Sequence, residues 1–223
     1  IKKHLSKDIE LKDITDDLCV FGLFGPKSRD LIKTISKDNF ENDNFKFSSA
    51  KYISIKGIKV WAQRLSYVGE LGYELYVDLK DAKKIYELLI EKGKDFNLSN
   101  CGMHAMDIMR MESGFLHWGH DISPEENQYQ AGLAFTISKK KDVNFIGKQA
   151  IKKIKQEKIK TRFAMFILKE SEPGKPLLLH DEPIYIEDKI IGRSTSGNYS
   201  FNFKKNLVFG YIKNDLSNDE LKS

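Results

Sequence analysis

The chain has 223 residues, of which 37 are basic and 32 acidic, giving a formal net charge of +5. Hydrophobic residues make up 40% and aromatic residues 11%, which is enough for a packed core and excludes overall disorder. The length fits one large domain, or one domain with a smaller one. The lysines mostly alternate with acidic residues and accompany no nucleic-acid-reading motif, so we expect no nucleic-acid partner.

The chain has two cysteines, Cys19 and Cys101, far apart in sequence. They form neither a disulfide framework nor a metal-ligand spacing, which fits a reducing compartment. No apolar run approaches the roughly 18 residues of a membrane span, so we expect no membrane partner. We therefore predict a cytoplasmic protein. The sequence opens on Ile1 rather than Met, which predicts a fragment of a longer chain.

Strands and helices alternate in the first part of the chain. Leu18–Gly25 is an apolar run of strand length that we expect to be buried on both faces. Pro26 then opens a helix. Tyr52–Ile55 and Ile58–Leu65 predict a hairpin. The inner face of the predicted helix carries Ser28, Leu31, Ile32 and Ile35.

A glycine-punctuated turn from Ser66 runs into a strand ending at Val77, with the sequence Ser-Tyr-Val-Gly-Glu-Leu-Gly-Tyr-Glu-Leu-Tyr-Val. Alternation places Glu74 and Tyr76 together on one face of this strand. A carboxylate on a partly buried strand needs N–H donors, which a flat ligand with two adjacent N–H groups or an arginine would supply. A surface glutamate on an edge strand is the alternative interpretation.

Two helices are predicted next. The first has Asp81 as its N-cap, and the second, Gly102–Phe115, is apolar nearly all round, as is typical of a buried helix. Asp107 and Arg110 lie three residues apart on the second helix, so Asp107 is the nearest partner for the guanidinium. A structural ion pair is therefore the alternative to a ligand-binding role for Arg110.

His117, His120 and Asp121 follow this helix. They lack the further ligands and the regular spacing of a metal site, so we predict no metal. Gln130–Phe135 resembles a short strand, and a helix is predicted from Phe145 to about residue 155.

After residue 160 the pattern changes to strands and turns. Arg162–Lys169 and Leu207–Lys213 are predicted strands, and Pro183–Glu187 with Ile190–Thr195 predicts a hairpin. These segments indicate a small antiparallel β module. We therefore predict two domains, residues 1–155 and residues 156–223.

Six motifs, in this order, resemble the glycine cleavage T-protein (aminomethyltransferase) superfamily. They are Phe24-Gly25-Pro26-Lys27-Ser28, Ser66 to Glu74, Ala105 to Gly114, Gln130-Ala131-Gly132-Leu133, Phe145-Ile146-Gly147-Lys148 and Gly192 to Gly197. Each motif is weak alone, but together they span nearly the whole chain. The resemblance implies an α/β (α+β) aminomethyltransferase-like folate-binding fold, lacking its N-terminal part, followed by a C-terminal antiparallel β-barrel domain.

The segment from Phe115 to Ile122 is similar to the folate half of dimethylglycine and sarcosine dehydrogenases. This implies an FAD-dependent enzyme whose folate module captures the one-carbon unit of a methylamine-type substrate as 5,10-methylene-tetrahydrofolate. The chain has no dinucleotide glycine fingerprint, so FAD is expected in an upstream domain. A eukaryotic source would imply the mitochondrial matrix.

Two alternatives remain within the resemblance. One is a T-protein aminomethyltransferase, whose partner is the lipoyl carrier protein of glycine cleavage. The other is a non-catalytic folate-binding protein of the same fold.

The resemblance also implies site residues. Glu74 matches the glutamate that binds the amino and ring N–H edge of the pterin, Tyr67 and Tyr76 match walls of that pocket, and Arg110 matches the arginine of the helix that lines it. The catalytic aspartate of the family is expected upstream of Ile1. The fragment is therefore expected to be inactive alone.

Overall fold

A computed structural model describes residues 2–137 and 144–216. The chain folds into two compact units, Ile1–Gly102 and Met103–Ser223. The compact units thus divide at residue 102, whereas the sequence places the domain boundary near residue 155. That boundary stays a prediction.

The first unit contains a four-stranded antiparallel sheet in the order β1-β4-β3-β2. Two helices, α1 and α2, pack against one face of this sheet. The described elements are β1 (Leu18–Phe24), α1 (Ser28–Ile35), β2 (Ala50–Ile55), β3 (Ile58–Gln63), β4 (Gly72–Asp78) and α2 (Leu79–Gly93). The predicted β2–β3 hairpin is confirmed. The prediction that Asp81 is the N-cap of the next helix is wrong, because α2 begins at Leu79 and its N-cap is Asp78.

The core of the first unit lies between the helices and the inner face of the sheet. The predicted inner face of α1 is confirmed, since Ser28, Leu31, Ile32 and Ile35 are all buried. Alternate residues of β4 complete the core, namely Tyr73, Leu75 and Val77. The same alternation directs Glu74 and Tyr76 to the opposite face.

The expectation that the first strand is buried on both faces is wrong. Leu23 of β1 is buried, but Val20 is 48% exposed. The physical reason is that β1 belongs to an antiparallel sheet whose helices cover one face, so its alternate side chains lie on the other face.

Tyr73 carries a buried hydroxyl within the core of the first unit. Its ring packs on Phe40 and Phe45, with centroids 5.7 Å and 5.5 Å away. Within the described residues this hydroxyl has no hydrogen-bond partner. A buried hydroxyl without a partner costs about 1–3 kcal/mol, whereas an apolar replacement of the same shape is neutral or stabilising.

We therefore expect Tyr73→Phe to keep or raise the free energy of unfolding, measured by urea denaturation. Tyr73→Ala, which leaves a cavity, should lower it by about 3–5 kcal/mol. A loss above about 1 kcal/mol in Tyr73→Phe would mean that the hydroxyl has a partner.

The second unit contains a four-stranded antiparallel sheet in the order β5-β8-β7-β6, with β5 and β6 at its edges. This confirms the predicted antiparallel β module and its hairpin. The described helices and strands are α3 (Met103–Glu112), α4 (Lys148–Gln156), β5 (Thr161–Ile167), β6 (Pro183–Ile186), β7 (Lys189–Ser200) and β8 (Lys205–Lys213). The mixed α/β class expected from the sequence is thus confirmed.

Helix α3 packs against β7 and β8 of this sheet. Met111 forms a small core with Leu207 and Phe209. The prediction of a helix buried all round holds only for this inner side, since Met103 is 68% exposed.

The predicted strand at Gln130–Phe135 is wrong, because the segment forms turns followed by a short 3₁₀ helix, Ala134–Thr136. The side chain of Asn127 accepts hydrogen bonds from the backbone N–H groups of Tyr129 and Gln130. Such local bonds compete with a strand ladder and stabilise a turn.

Candidate functional site

The outer face of β4 brings two of the predicted site residues together. The hydroxyl of Tyr76 donates a hydrogen bond to Oε2 of Glu74 at 3.0 Å. Both side chains are half-buried. Burial raises the pKa of Tyr76, and the hydrogen bond to Glu74 adds to this shift. The phenol therefore keeps its proton near neutral pH and acts as the donor.

Neighbouring strands supply the surroundings of this pair. In the sheet register Glu74 lies between Gly22 of β1 and Gln63 of β3, and Tyr76 lies opposite Trp61. Within the described residues no protein group donates to Oε1 of Glu74. The arrangement is a fixed carboxylate on an aromatic surface, with one oxygen ready to accept N–H groups from a ligand.

Tyr67, the third predicted residue of this site, lies in the loop between β3 and β4. Its side chain is half-buried. The loop turns at Gly69, whose φ of +74° falls in the left-handed region that favours glycine. The place of Tyr67 in the site stays a prediction.

Arg110 belongs to the second unit, on α3, and is only 1% exposed. Its Nε donates to Oδ1 of Asp107 at 2.8 Å, as the spacing on the helix predicted. Its Nη1 donates to Oδ2 of Asp121 and to the backbone oxygen of Phe115, and its Nη2 donates to Ser196 Oγ and also lies 2.8 Å from Asp107 Oδ1. The whole guanidinium is thus occupied by protein acceptors, which favours the structural alternative.

Asp121 is the centre of this buried cluster, and sequence reasoning missed it as a partner of Arg110. Its Oδ1 accepts hydrogen bonds from the hydroxyls of Thr195 and Ser196, and its Oδ2 also accepts one from the backbone N–H of His117. The available signal was the run of hydroxyl residues in the Gly192–Gly197 motif. These contacts tie α3 and the following loop to β7.

Two family models match the chain. The model described as GCVT N-terminal domain matches residues 1–141, and the model described as glycine cleavage T-protein C-terminal barrel domain matches residues 162–222. The chain belongs to the glycine cleavage T-protein family.

The chain is similar in sequence to relatives of two kinds, dehydrogenases and aminomethyltransferases. The chain is 35% identical to human dimethylglycine dehydrogenase, mitochondrial, over 94% of its own length and 24% of that protein. It is 32% identical to an aminomethyltransferase of Halothermothrix orenii over 96% of its length and 58% of that protein. The chain therefore spans about a quarter of the first relative and just over half of the second.

A solved structure supports the fold. The glycine cleavage system aminomethyltransferase T from Bartonella henselae superposes with a TM-score of 0.75 at 21% identity. The match covers 88% of this chain and 52% of that one. The expected aminomethyltransferase-like fold is thus confirmed.

The described residues contain neither a candidate metal-binding cluster nor a candidate membrane-spanning helix. Within residues 2–137 and 144–216, no group of three or more His, Cys, Asp or Glu side chains is placed to hold a metal ion. None of the helices in the described part of the chain has the length and apolarity needed to cross a membrane.

Proposed function

We propose that this chain is the tetrahydrofolate-binding domain of a dimethylglycine or sarcosine dehydrogenase-type enzyme. The observation that carries the proposal is the half-buried carboxylate of Glu74, which accepts a hydrogen bond from Tyr76 on the outer face of the first sheet. In this role the domain captures the one-carbon unit of an N-methyl amine as 5,10-methylene-tetrahydrofolate.

The hydrogen-bonding chemistry of these side chains fits a pterin. The pterin ring presents an amino group and a ring N–H side by side, and a carboxylate accepts two such parallel bonds. Each carboxylate oxygen has two lone pairs, so Oε2 of Glu74 can accept from the ligand as well as from Tyr76. The aromatic side chains around the pair would exclude water from these bonds and strengthen them.

The residues of this chain would bind and orient the ring, and no proton transfer is assigned to them. Tetrahydrofolate supplies the nitrogens that accept the one-carbon unit. The catalytic aspartate is proposed to lie upstream of Ile1, and FAD in a separate upstream domain that forms the iminium. Arg110 is proposed to act through the shape of the second unit, because its guanidinium is already occupied.

A second candidate function is a T-protein aminomethyltransferase that works with a lipoyl carrier protein. The 32% identity to the Halothermothrix orenii aminomethyltransferase favours it. The gene sequence upstream of Ile1 separates the two functions. A flavin-binding domain there supports the dehydrogenase, a short extension with an aspartate supports the T-protein, and an extension without that aspartate supports a non-catalytic folate-binding protein.

The proposal is tested by thermal melting of the chain with increasing tetrahydrofolate. Ligand that binds only the folded state raises the melting temperature with concentration. We expect such a rise with tetrahydrofolate, and no comparable rise with free 4-aminobenzoylglutamate, which lacks the pterin. No rise at a concentration far above that of the protein would contradict the proposal.

Tyr76→Phe is expected to weaken tetrahydrofolate binding about twofold to tenfold. The carboxylate of Glu74 would lose the hydrogen bond that orders it, and fixing one such side chain on binding costs about 0.5–1.5 kcal/mol. The melting temperature without ligand should hardly change, because Tyr76 is only half-buried and keeps its ring in the variant. Tyr52→Phe, an exposed tyrosine on the same sheet, is the matched control. Unchanged affinity in Tyr76→Phe would show that the phenol does not position Glu74.

A further inference from the structure

Phe24 lies on the same face of the first sheet as Glu74. It is the last residue of β1 and pairs with Gly72 of β4, while Gly22 pairs with Glu74. The intervening residue, Leu23, points into the core. Alternation therefore places the ring of Phe24 beside the carboxylate of Glu74, on the side opposite Tyr76 along β4.

The ring of Phe24 lies directly on the backbone of two glycines. A methyl group at Gly22 would come within 2.5 Å of Cε2 of Phe24, and one at Gly72 within 2.3 Å of Cδ1. These two ring carbons are diagonally opposite, so the ring extends across both strands. Glycine at both positions is what allows this close approach.

The ring of Phe24 is also accessible. The residue is only half-buried, so part of its ring is open to a ligand on this face of the sheet. The ring of Phe24 and the carboxylate of Glu74 thus lie on the same face of the sheet, with one residue pair of the two strands between them. Such a pair of groups can hold a flat nitrogen heterocycle by its face and by its edge.

We propose that Phe24 is the aromatic wall of the ring-binding site, contacting the heterocycle whose N–H edge is read by Glu74. The inference rests on the proposed function and adds a residue that determines specificity for flat rings. Gly22 and Gly72 are positioning residues, because they let the Phe24 ring lie against the sheet.

Two ligands and two variants test the proposal in calorimetric titrations. The ligands are tetrahydrofolate and 6-methyltetrahydropterin, which has the ring but lacks the aminobenzoyl-glutamate tail. Phe24→Leu should weaken both about threefold to tenfold and by the same factor, because the lost contact is with the ring. Gly22→Ala should give the same pattern by displacing the Phe24 ring. Tyr86→Leu changes an exposed aromatic of α2, the helix that covers the opposite face of the sheet, and should leave both affinities unchanged.

Equal weakening of both ligands, with folding confirmed by circular dichroism, supports the proposal. Weakening of tetrahydrofolate alone would place Phe24 against the tail and overturn it. Unchanged affinity for both ligands would also overturn the proposal. In that case the proposed function would still stand if Glu74→Gln weakens the binding of tetrahydrofolate. If Phe24→Leu does not fold, Gly22→Ala carries the same decision. Wild-type protein that binds neither ligand would overturn both the proposal and the proposed function.

Discussion

Arg110→Ala is expected to lower the free energy of unfolding by about 3–5 kcal/mol, because it leaves a buried charge without its partner. Asp121 is 1% exposed and faces Nη1 of Arg110 at 2.5 Å. Without the guanidinium, its remaining donors are the neutral hydroxyls of Thr195 and Ser196 and the backbone N–H of His117. Neutral donors stabilise a buried carboxylate only in part.

The loss is measured by urea denaturation, with two companion variants. Lys153→Ala removes a cation from an exposed ion pair with Glu157 in the same unit, and such pairs contribute about 0–1 kcal/mol. Arg110→Met with Asp121→Asn removes both charges, and we expect it to recover part of the stability lost in Arg110→Ala. A loss in Arg110→Ala no larger than that in Lys153→Ala would contradict the assignment of a buried ion pair.

The same variants separate a structural role of Arg110 from a ligand contact. Thermal melts of any folded Arg110 variant are compared with and without tetrahydrofolate. A structural role predicts a lower melting temperature in both conditions and a ligand-induced rise close to that of the wild type. A folded variant that loses only the ligand-induced rise would instead support direct folate binding by Arg110.

The sequence predicted correctly which side chains of β4 share a face, because the relevant pattern is local. Side chains of a strand alternate between its faces, so the core positions Tyr73 and Leu75 place Glu74 and Tyr76 on the other face. The helical spacing of Asp107 and Arg110 likewise predicted their contact, which the structure contains.

The other contacts of Arg110 and Asp121 join segments that are distant in sequence, and residue spacing does not predict them. Ser196 lies 86 residues from Arg110, and Thr195 lies 74 residues from Asp121. One face of β1 is open because the helices cover only the other side of the sheet. The apolar run of β1 does not carry this information, and it therefore suggested burial on both faces. The place of Phe24 beside Glu74 follows from the register of β1 with β4.

Glu74→Gln is expected to weaken tetrahydrofolate binding about tenfold to a hundredfold. The change keeps the size of the side chain, removes its charge and replaces one acceptor oxygen by a donor. One hydrogen bond to the pterin edge is then lost, and a donor opposes a donor. Hydrogen bonds to charged groups contribute about 1.5–3 kcal/mol each, which corresponds to this loss of affinity.

The measurement that tests this most directly is calorimetric titration of tetrahydrofolate into wild type, Glu74→Gln and Glu70→Gln. Glu70 is an exposed glutamate in the loop before β4 and serves as the matched control. We predict a loss of about tenfold to a hundredfold for Glu74→Gln, unchanged affinity for Glu70→Gln, and little change in the melting temperature of either unliganded variant. Equal affinities of wild type and Glu74→Gln would contradict the assignment and leave Glu74 as a surface residue of β4.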